Sequence, residues 1–367
     1  MKIYFYLALA LILALLGCSK KYHNPEPSEN YMVLNEIQYV EEFPKSYTLG
    51  DKEDVGLDII GMKDFRICDS LLIVSAVDKD GLWEIYSLNS NRCLGKFLKQ
   101  GIGPGEFIFS PLITDASLFR RKDNSLSAII YNSVQRKVFD MNITKSLNEG
   151  KLVMDELDVV IPEAMFNYVM LDDTYSFVRK LTAGETKQER SLYNGKNESV
   201  PSNFELLNRS SVQKRDMDFN ILSAITKCNT DKKKILEAPI TLNYLNLYSY
   251  DSDWGKTICV GNELYNISDV QSQNKWDRIY TYANITPFTD FFGALYFGED
   301  EKTYQMNRTK LPVIYFFDWD GNPLMELKLS EHGTSFDIDL VNGYLYLLDL
   351  KTDNFYKYNI KDILEGM

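Results

Sequence analysis

Apolar and polar positions alternate along this chain in short runs, and clusters of Asp, Asn, Lys and Gly separate one run from the next. A period of two with turn chemistry between runs predicts β-strands joined as hairpins. The clearest unit is Leu71-Leu72-Ile73-Val74-Ser75-Ala76-Val77, the turn Asp78-Lys79-Asp80-Gly81, and the partner strand Trp83-Glu84-Ile85-Tyr86-Ser87-Leu88. The grammar recurs at Val313–Phe317, Asp318-Trp319-Asp320-Gly321 and Leu324–Leu329. A second template links Ala128–Asn132 and Lys137–Asp140 with Tyr346–Asp349 and Phe355–Asn359. Weaker copies run from Tyr168–Leu171 to Tyr175–Val178, and from Leu245–Tyr250 through Gly255 to Ile258.

Long helical periodicity is missing, so the pattern predicts an all-β body built by repetition, and a β-propeller of four-stranded antiparallel blades satisfies it. Radial repetition also leaves so many strands without a long open edge. The 326 residues from Leu34 to Asn359 divide into about 54 per unit for six blades or about 47 for seven, against the roughly 40 to 50 of known blade repeats. Both numbers stay open on arithmetic. The stretches Thr182–Asn208 and Lys214–Lys234 read as loops or short helices projecting from one face, and Glu36-Ile37-Gln38-Tyr39-Val40 as a strand that completes the last blade and closes the ring.

The amino terminus follows a different rule. Lys2 precedes an unbroken apolar run from Ile3 to Leu16, then Gly17 and Cys18. The run is too short to span a bilayer and ends at a cleavage-like site, the layout of a secretion signal. Leu15-Leu16-Gly17-Cys18 matches the lipobox of bacterial lipoproteins, which makes Cys18 the lipidated first residue of the mature chain. Residues 1–17 are then a signal peptide that is removed, 18–32 a lipid-bearing tether containing Pro25, Pro27 and a solvated His23, and 33–367 a single propeller domain. Ser19 after the Cys, with Lys20 and Lys21 in place of an acidic cluster, points to the periplasmic side of the outer membrane rather than the cell surface.

Charge and cysteine content narrow the roles. A formal net charge of −12 repels phosphate backbones, which argues against nucleic acid as a partner. Lys232-Lys233-Lys234 follows Asn229-Thr230-Asp231 and reads as a hairpin tip. Cys68, Cys93, Cys228 and Cys259 show no CxxC spacing and sit in or beside apolar runs. An oxidising compartment allows three pairings among them, and buried free thiols fit equally well.

The conspicuous string is Gly101-Ile102-Gly103-Pro104-Gly105-Glu106-Phe107. It lacks the spacing and context of a phosphate loop or dinucleotide fingerprint. The expected role is a tight connection between blades, with Glu106 accepting backbone hydrogen bonds and Phe107 plugging between sheets; a ligand contact is the alternative. The GxGPGEF string after a first hairpin, the lipobox, and the closing Phe336-Asp337-Ile338-Asp339, Gly343-Tyr344-Leu345-Tyr346 and Tyr356-Lys357-Tyr358 together resemble the TolB-like six-bladed β-propeller lipoproteins. That resemblance implies six blades and an envelope location, and it carries over no catalytic residues.

Chemistry is otherwise sparse. Asp78-Lys79-Asp80-Gly81 and Asp318-Trp319-Asp320-Gly321 lack the further ligands of a calcium loop and read as hairpin turns. Only His23 and His332 exist, which leaves little material for zinc sites or Ser-His-Asp triads. Asp172-Asp173 and Glu299-Asp300-Glu301 read as solvated loops, while Asp337 and Asp339 share the polar face of one strand, turned to the channel or to a turn network. No cofactor or metal is expected. The reading is a monomeric, membrane-anchored module that binds or scaffolds a protein, peptide or glycan through loops on one propeller face, more in keeping with a non-enzyme. The alternative is a lactonase-like or glycan-active propeller hydrolase with a site gathered from several blades. A sugar-binding surface would show exposed, coplanar Trp254, Trp276 and Trp319.

Overall fold

The computed structural model describes Tyr22 and residues 24–57, 59–182, 184, 186–213 and 219–366. Cys18 and the apolar run before it lie outside these residues. Leu71–Ser75 pairs antiparallel with Trp83–Ser87, Ser75 facing Trp83, as the alternation predicts. Adding Asp64–Cys68 and Cys93–Phe97 gives blade 1. Blade 2 is Ser117–Arg120, Leu126–Asn132, Lys137–Asn142 and Met154–Leu157; blade 3 is Met165–Met170, Tyr175–Thr182, Lys187–Asn194 and Asn197–Ser199. Blade 4 is Ala224–Asn229, Lys234–Pro239, Tyr244–Ser249 and Gly255–Val260; blade 5 is Ile279–Pro287, Phe291–Asp300, Val313–Asp318 and Pro323–Lys328. Blade 6 takes Ser335–Asp339, Tyr344–Asp349 and Asn354–Asn359 from the end of the chain and Glu53–Asp54 from its beginning. The ring is a six-bladed β-propeller.

Two expectations are corrected. Glu36–Val40 does not complete the last blade. It pairs in parallel with Gly255–Val260 as a fifth strand on the outside of blade 4, and Glu53–Asp54 closes blade 6 instead. Between them Ser46–Thr48 pairs in parallel on the outer edge of blade 5. The segment 36–54 is thus a belt over three consecutive outer edges, which would otherwise present unpaired backbone groups. Alternation identifies a strand, whereas its partner depends on contacts more than two hundred residues away. Thr182–Asn208 holds the short helix Ser202–Leu207 but also the third and fourth strands of blade 3, and Lys214–Lys234 contains the inner strand Ala224–Asn229 of blade 4, so neither stretch is only an insertion. The inward side chains of Lys187–Asn194 include Gln188, Arg190 and Ser191, so polarity disguised a buried strand.

The interior is divided by the blades. Among the described residues six hydrophobic clusters occur, one at each interface between neighbouring sheets. Aromatic rings seal several of them: Phe65 on Phe355 between blades 1 and 6, and Phe316 on Phe336 between blades 5 and 6. The interface of blades 3 and 4 is completed by Met32, Val33 and Leu34, all essentially without exposure. They are held by Met32 N to Tyr244 Oη, Asn246 Nδ2 to Met32 O, and Leu34 N to Thr257 Oγ1.

The inner edge of each sheet faces the axis with no ladder partner, and side chains from neighbouring blades cap it. Ile67 N donates to Asp337, Met170 N to the Ser117 hydroxyl, and Thr286 Oγ1 to Phe336 O. These caps join blades 6 to 1, 2 to 3 and 5 to 6 at the wall of the channel, satisfying groups that would be costly to leave unpaired.

Leu34→Ala removes an apolar group from the centre of the blade 3–4 wedge. The expected cost is about 2–4 kcal/mol, read as a lower urea midpoint with an unchanged slope. A change within experimental error would show that the N-terminal segment does not contribute to stability there.

Candidate functional site

The channel holds a cavity of about 500 Å³ walled by blades 1 to 5. Its construction begins at Asp64, the first residue of the innermost strand of blade 1. The Asp64 carboxylate accepts from Ile113 N, Thr114 N and Thr114 Oγ1 at 3.2, 2.9 and 2.6 Å. This pins the short helical turn Ile113–Asp115, in the connection to blade 2, against the channel. From the other side the Lys227 ammonium, on the inner strand of blade 4, donates to the Thr114 carbonyl. Thr114 is therefore clamped by two blades, and Asp115 next to it is presented to the cavity.

The Asp115 carboxylate makes no hydrogen bond to a described residue, its backbone N–H alone donating to Leu112 O. Water reaches it along the channel, yet protein surrounds it closely; this enclosure raises its pKa, Lys227 opposes the rise and Asp64 adds to it. Lys227 is lowered by burial, against the pull of Asp115. On blade 1 Arg66 Nε lies 3.1 Å from Asp337 Oδ2, and its terminal nitrogens have no hydrogen-bond partner among the described residues. The Thr226 hydroxyl is buried in the wall without a partner. Donors and an acceptor thus stand unsatisfied around one cavity, gathered from blades 1, 2 and 4. The mouth between the first-to-second-strand turns carries Arg120, Asp172, Asp173 and Asp231. Arg120 pairs with Asp69, and Asp172 is occupied by Thr174 N, Tyr175 N and Tyr250 Oη.

Behind Asp115 the charge continues into the blade 3–4 wedge. Arg179 Nη1 reaches Glu237 Oε1 at 3.1 Å, Arg190 Nε reaches Oε2 at 2.6 Å, and Tyr248 Oη donates to Oε2 at 3.0 Å. All four groups are buried. Burial alone would raise Glu237, but the two guanidiniums hold it below the usual carboxylate range. Burial lowers Arg179 to about 10, with Arg190 pushing the same way and Glu237 opposing. Arg190 Nη2 also touches the Met32 sulfur at 3.1 Å, tying the ionic group to the N-terminal segment.

The residues singled out by sequence fall elsewhere. Gly101–Phe107 forms the start of the connection from blade 1 to blade 2. Glu106 Oε2 accepts from Gly103 N at 2.8 Å, and Phe107 is buried edge-on to Phe139. A Cβ at Gly101 would lie 2.0 Å from Glu106 Oε2, and Gly105 has φ of +74°, so two of the three glycines answer a steric demand within the loop. Gln135 Nε2 donates to the Gly103 and Glu106 carbonyls. The two Asp-rich turns use their carboxylates as backbone acceptors, Asp78 for Asp80 N and Asp318 for Asp320 N and Asn322 N. Asp337 caps blade 1, while Asp339 serves its own turn by accepting from Val341 N and Asn342 N.

His332 is half-buried, and its pKa is lowered by burial and by Arg308. Cys68, Cys93, Cys228 and Cys259 are all free thiols; burial pushes Cys228, in the cavity wall, up to about 12. Lys232, Lys233 and Lys234 pair separately with Asp290, Asp251 and Asp320. Trp319 is buried, Trp254 lies under the Lys234 ammonium and Trp276 is exposed, so the three do not form a sugar-stacking row. Among the described residues no three His, Cys, Asp or Glu side chains are grouped to hold a metal ion.

The ring, its closure and its channel define a propeller with an axial cavity. The profile of the TolB-like 6-blade propeller-like family matches residues 63–340, and the chain belongs to that family. Among solved structures it is similar to a member of the DUF4221 family from Bacteroides vulgatus, at 10% identity and TM-score 0.51, covering 91% of this chain and 98% of that one. An auxiliary nutrient binding protein from Bacteroides ovatus aligns at 8% identity and TM-score 0.43 over 82% of this chain and 68% of that one. A luciferin-regenerating enzyme aligns at 10% identity and TM-score 0.42 over 84% and 94%. No curated protein matches the sequence.

Glu237→Gln leaves two buried guanidiniums under-compensated and is expected to cost about 3–5 kcal/mol at pH 7. Because the folded value of Glu237 lies below its unfolded value of about 4.3, its contribution is complete above that pH and is lost as pH falls through the folded value. Urea midpoints of wild type and Glu237→Gln should therefore converge on acidification; a gap independent of pH would refute the ionic account.

Proposed function

We propose that this protein is an envelope-anchored binding module whose axial cavity takes a charged end or side chain of a polypeptide, with Cys18 carrying the lipid that holds it at the outer membrane. The observation that carries the reading is the set of unsatisfied groups around the cavity. Arg66 offers donors, Asp115 an acceptor open to water and Thr226 a buried hydroxyl without a partner, so each is available to a ligand that enters the cavity. Charges of both signs a short distance apart suit a ligand that is itself amphoteric, as a peptide is. A stacked sugar is less well served, because the aromatic platform it needs is dispersed or buried.

The volume accommodates a few residues of chain rather than a domain. Loops at the acidic mouth would meet the remainder of the partner. The lipid frees the body from needing strong membrane affinity of its own, since two or three acyl chains are enough for stable anchoring. A hydrolase reading would require a nucleophile or a paired acid and base around the cavity; Lys227 is occupied by Thr114 O, Asp172 by Thr174 N, Tyr175 N and Tyr250 Oη, and burial keeps the Cys228 thiol protonated.

The Asp115 carboxylate has no hydrogen bond to a described residue to lose, so Asp115→Asn tests the site with little expected change in stability. Crosslinking the lipidated protein in its native membrane should capture a specific polypeptide, and Asp115→Asn should lower the yield about tenfold, the effect of one charged hydrogen bond. Capture indifferent to this substitution would remove the cavity from the binding reading. Failure to recover any specific partner would remove the reading itself.

A further inference from the structure

We propose that the face of the ring carrying the connections between blades lies against the lipid bilayer, so that the channel mouth lined by Arg120, Asp172 and Asp231 points away from it. This rests on lipid anchoring at Cys18 and adds an orientation to it. Two independent features of the body select the same face.

The first is where the chain enters. Glu29 O accepts from Ser211 N and Asn30 O from Ile267 N, in the connections that follow blades 3 and 4. Tyr22 stacks on Tyr39 with ring centroids 4.3 Å apart, and its hydroxyl bonds Glu41. Glu41 follows the end of the outer strand of blade 4, where Val40 O accepts from Gly261 N just past the last strand of that blade. Every one of these contacts lies at the connection end. Three residues separate Tyr22 from Cys18, and the four residue-to-residue steps between them span at most about 14 Å. The acyl chains are thus held within a short reach of that rim, and the body has little freedom to stand off from the membrane.

The second is the placement of exposed apolar side chains. Among the described residues seven large apolar side chains are more than half exposed. Six belong to connections or to second-to-third-strand turns, which share this end of the ring: Ile60, Ile102, Phe109, Val134, Trp276 and Met306. Only Val341 lies at the opposite end, in the first turn of blade 6. They stand in separate groups around that end: Phe109 and Val134 at one hollow, Trp276 and Met306 on adjoining helical turns, and Ile60 in the connection between blades 6 and 1. A protein partner generally needs a contiguous surface, whereas a lipid interface accepts separate apolar tips presented on one side. Trp276 is also the residue type most at home at a membrane–water boundary.

The test uses the lipidated full chain in phosphatidylethanolamine–phosphatidylcholine vesicles containing a doxyl-labelled lipid. With the exposed thiol removed by Cys93→Ser, a bimane label is placed by Ile102→Cys, Met306→Cys or Val341→Cys. Quenching at 102 and 306 should exceed that at 341 severalfold. Equal quenching at all three, or stronger quenching at 341, overturns the orientation. Shielding at 102 and 306 in native membranes but not in pure lipid would assign the face to a protein and overturn the lipid proposal. Mass spectrometry of the same preparation separates the two claims. Acyl chains on Cys18 with unselective quenching leave the anchor standing and remove the orientation; absence of acyl chains removes both.

Discussion

A ring of sheets is stable only if its two ends meet. Each blade buries one face against the preceding blade and the other against the next, so an open ring would expose two apolar faces at the break. Here the seam between the early and late parts of the chain lies inside blade 6, where only the two-residue strand Glu53–Asp54 pairs across it as sheet. The remainder of the closure is distributed. Phe65 meets Phe355, Asp337 caps Ile67 N, and the belt runs back across blades 5 and 4 to bury Met32–Leu34 beside the Arg179–Glu237–Arg190 group. A weak seam is thereby reinforced from residues half a ring away.

Much of this architecture is written in local pattern. Leu71–Ser75 with Trp83–Ser87, and Tyr344–Asp349 with Asn354–Asn359, announce themselves because one side of each strand is apolar and the turn between them favours reversal. Lys187–Asn194 does not, since its buried side bears Arg190 and Gln188 and an outward-looking composition covers an inward-facing strand. Glu36–Val40 is recognisable as a strand but not as the parallel neighbour of Gly255–Val260, because parallel pairing leaves no turn between the partners for the sequence to mark.

The site was less visible still. Arg66, Asp115, Thr226 and Lys227 share no motif, and each is ordinary where it stands in the chain. Lys227 offers the faintest signal, a cation in the otherwise uncharged strand Ala224–Asn229. The Gly101–Phe107 string was conspicuous for the opposite reason: its residue types are dictated by steric demands of the loop, which leave a strong local signature whether or not a ligand is involved. Sites assembled at a propeller axis take one or two residues per blade, so their composition is set by rotation about the axis rather than by spacing along the chain.

The belt also bears on the order of events during folding. Its strands are made early, yet their partners are Gly255–Val260, Pro323–Lys328 and Asn354–Asn359, which emerge long after them. Early blades can form hairpins as they emerge, but the ring cannot lock around the belt until those late strands are available. In a chain arranged in this way the ring forms in one late step, after its blades, rather than growing closed one blade at a time.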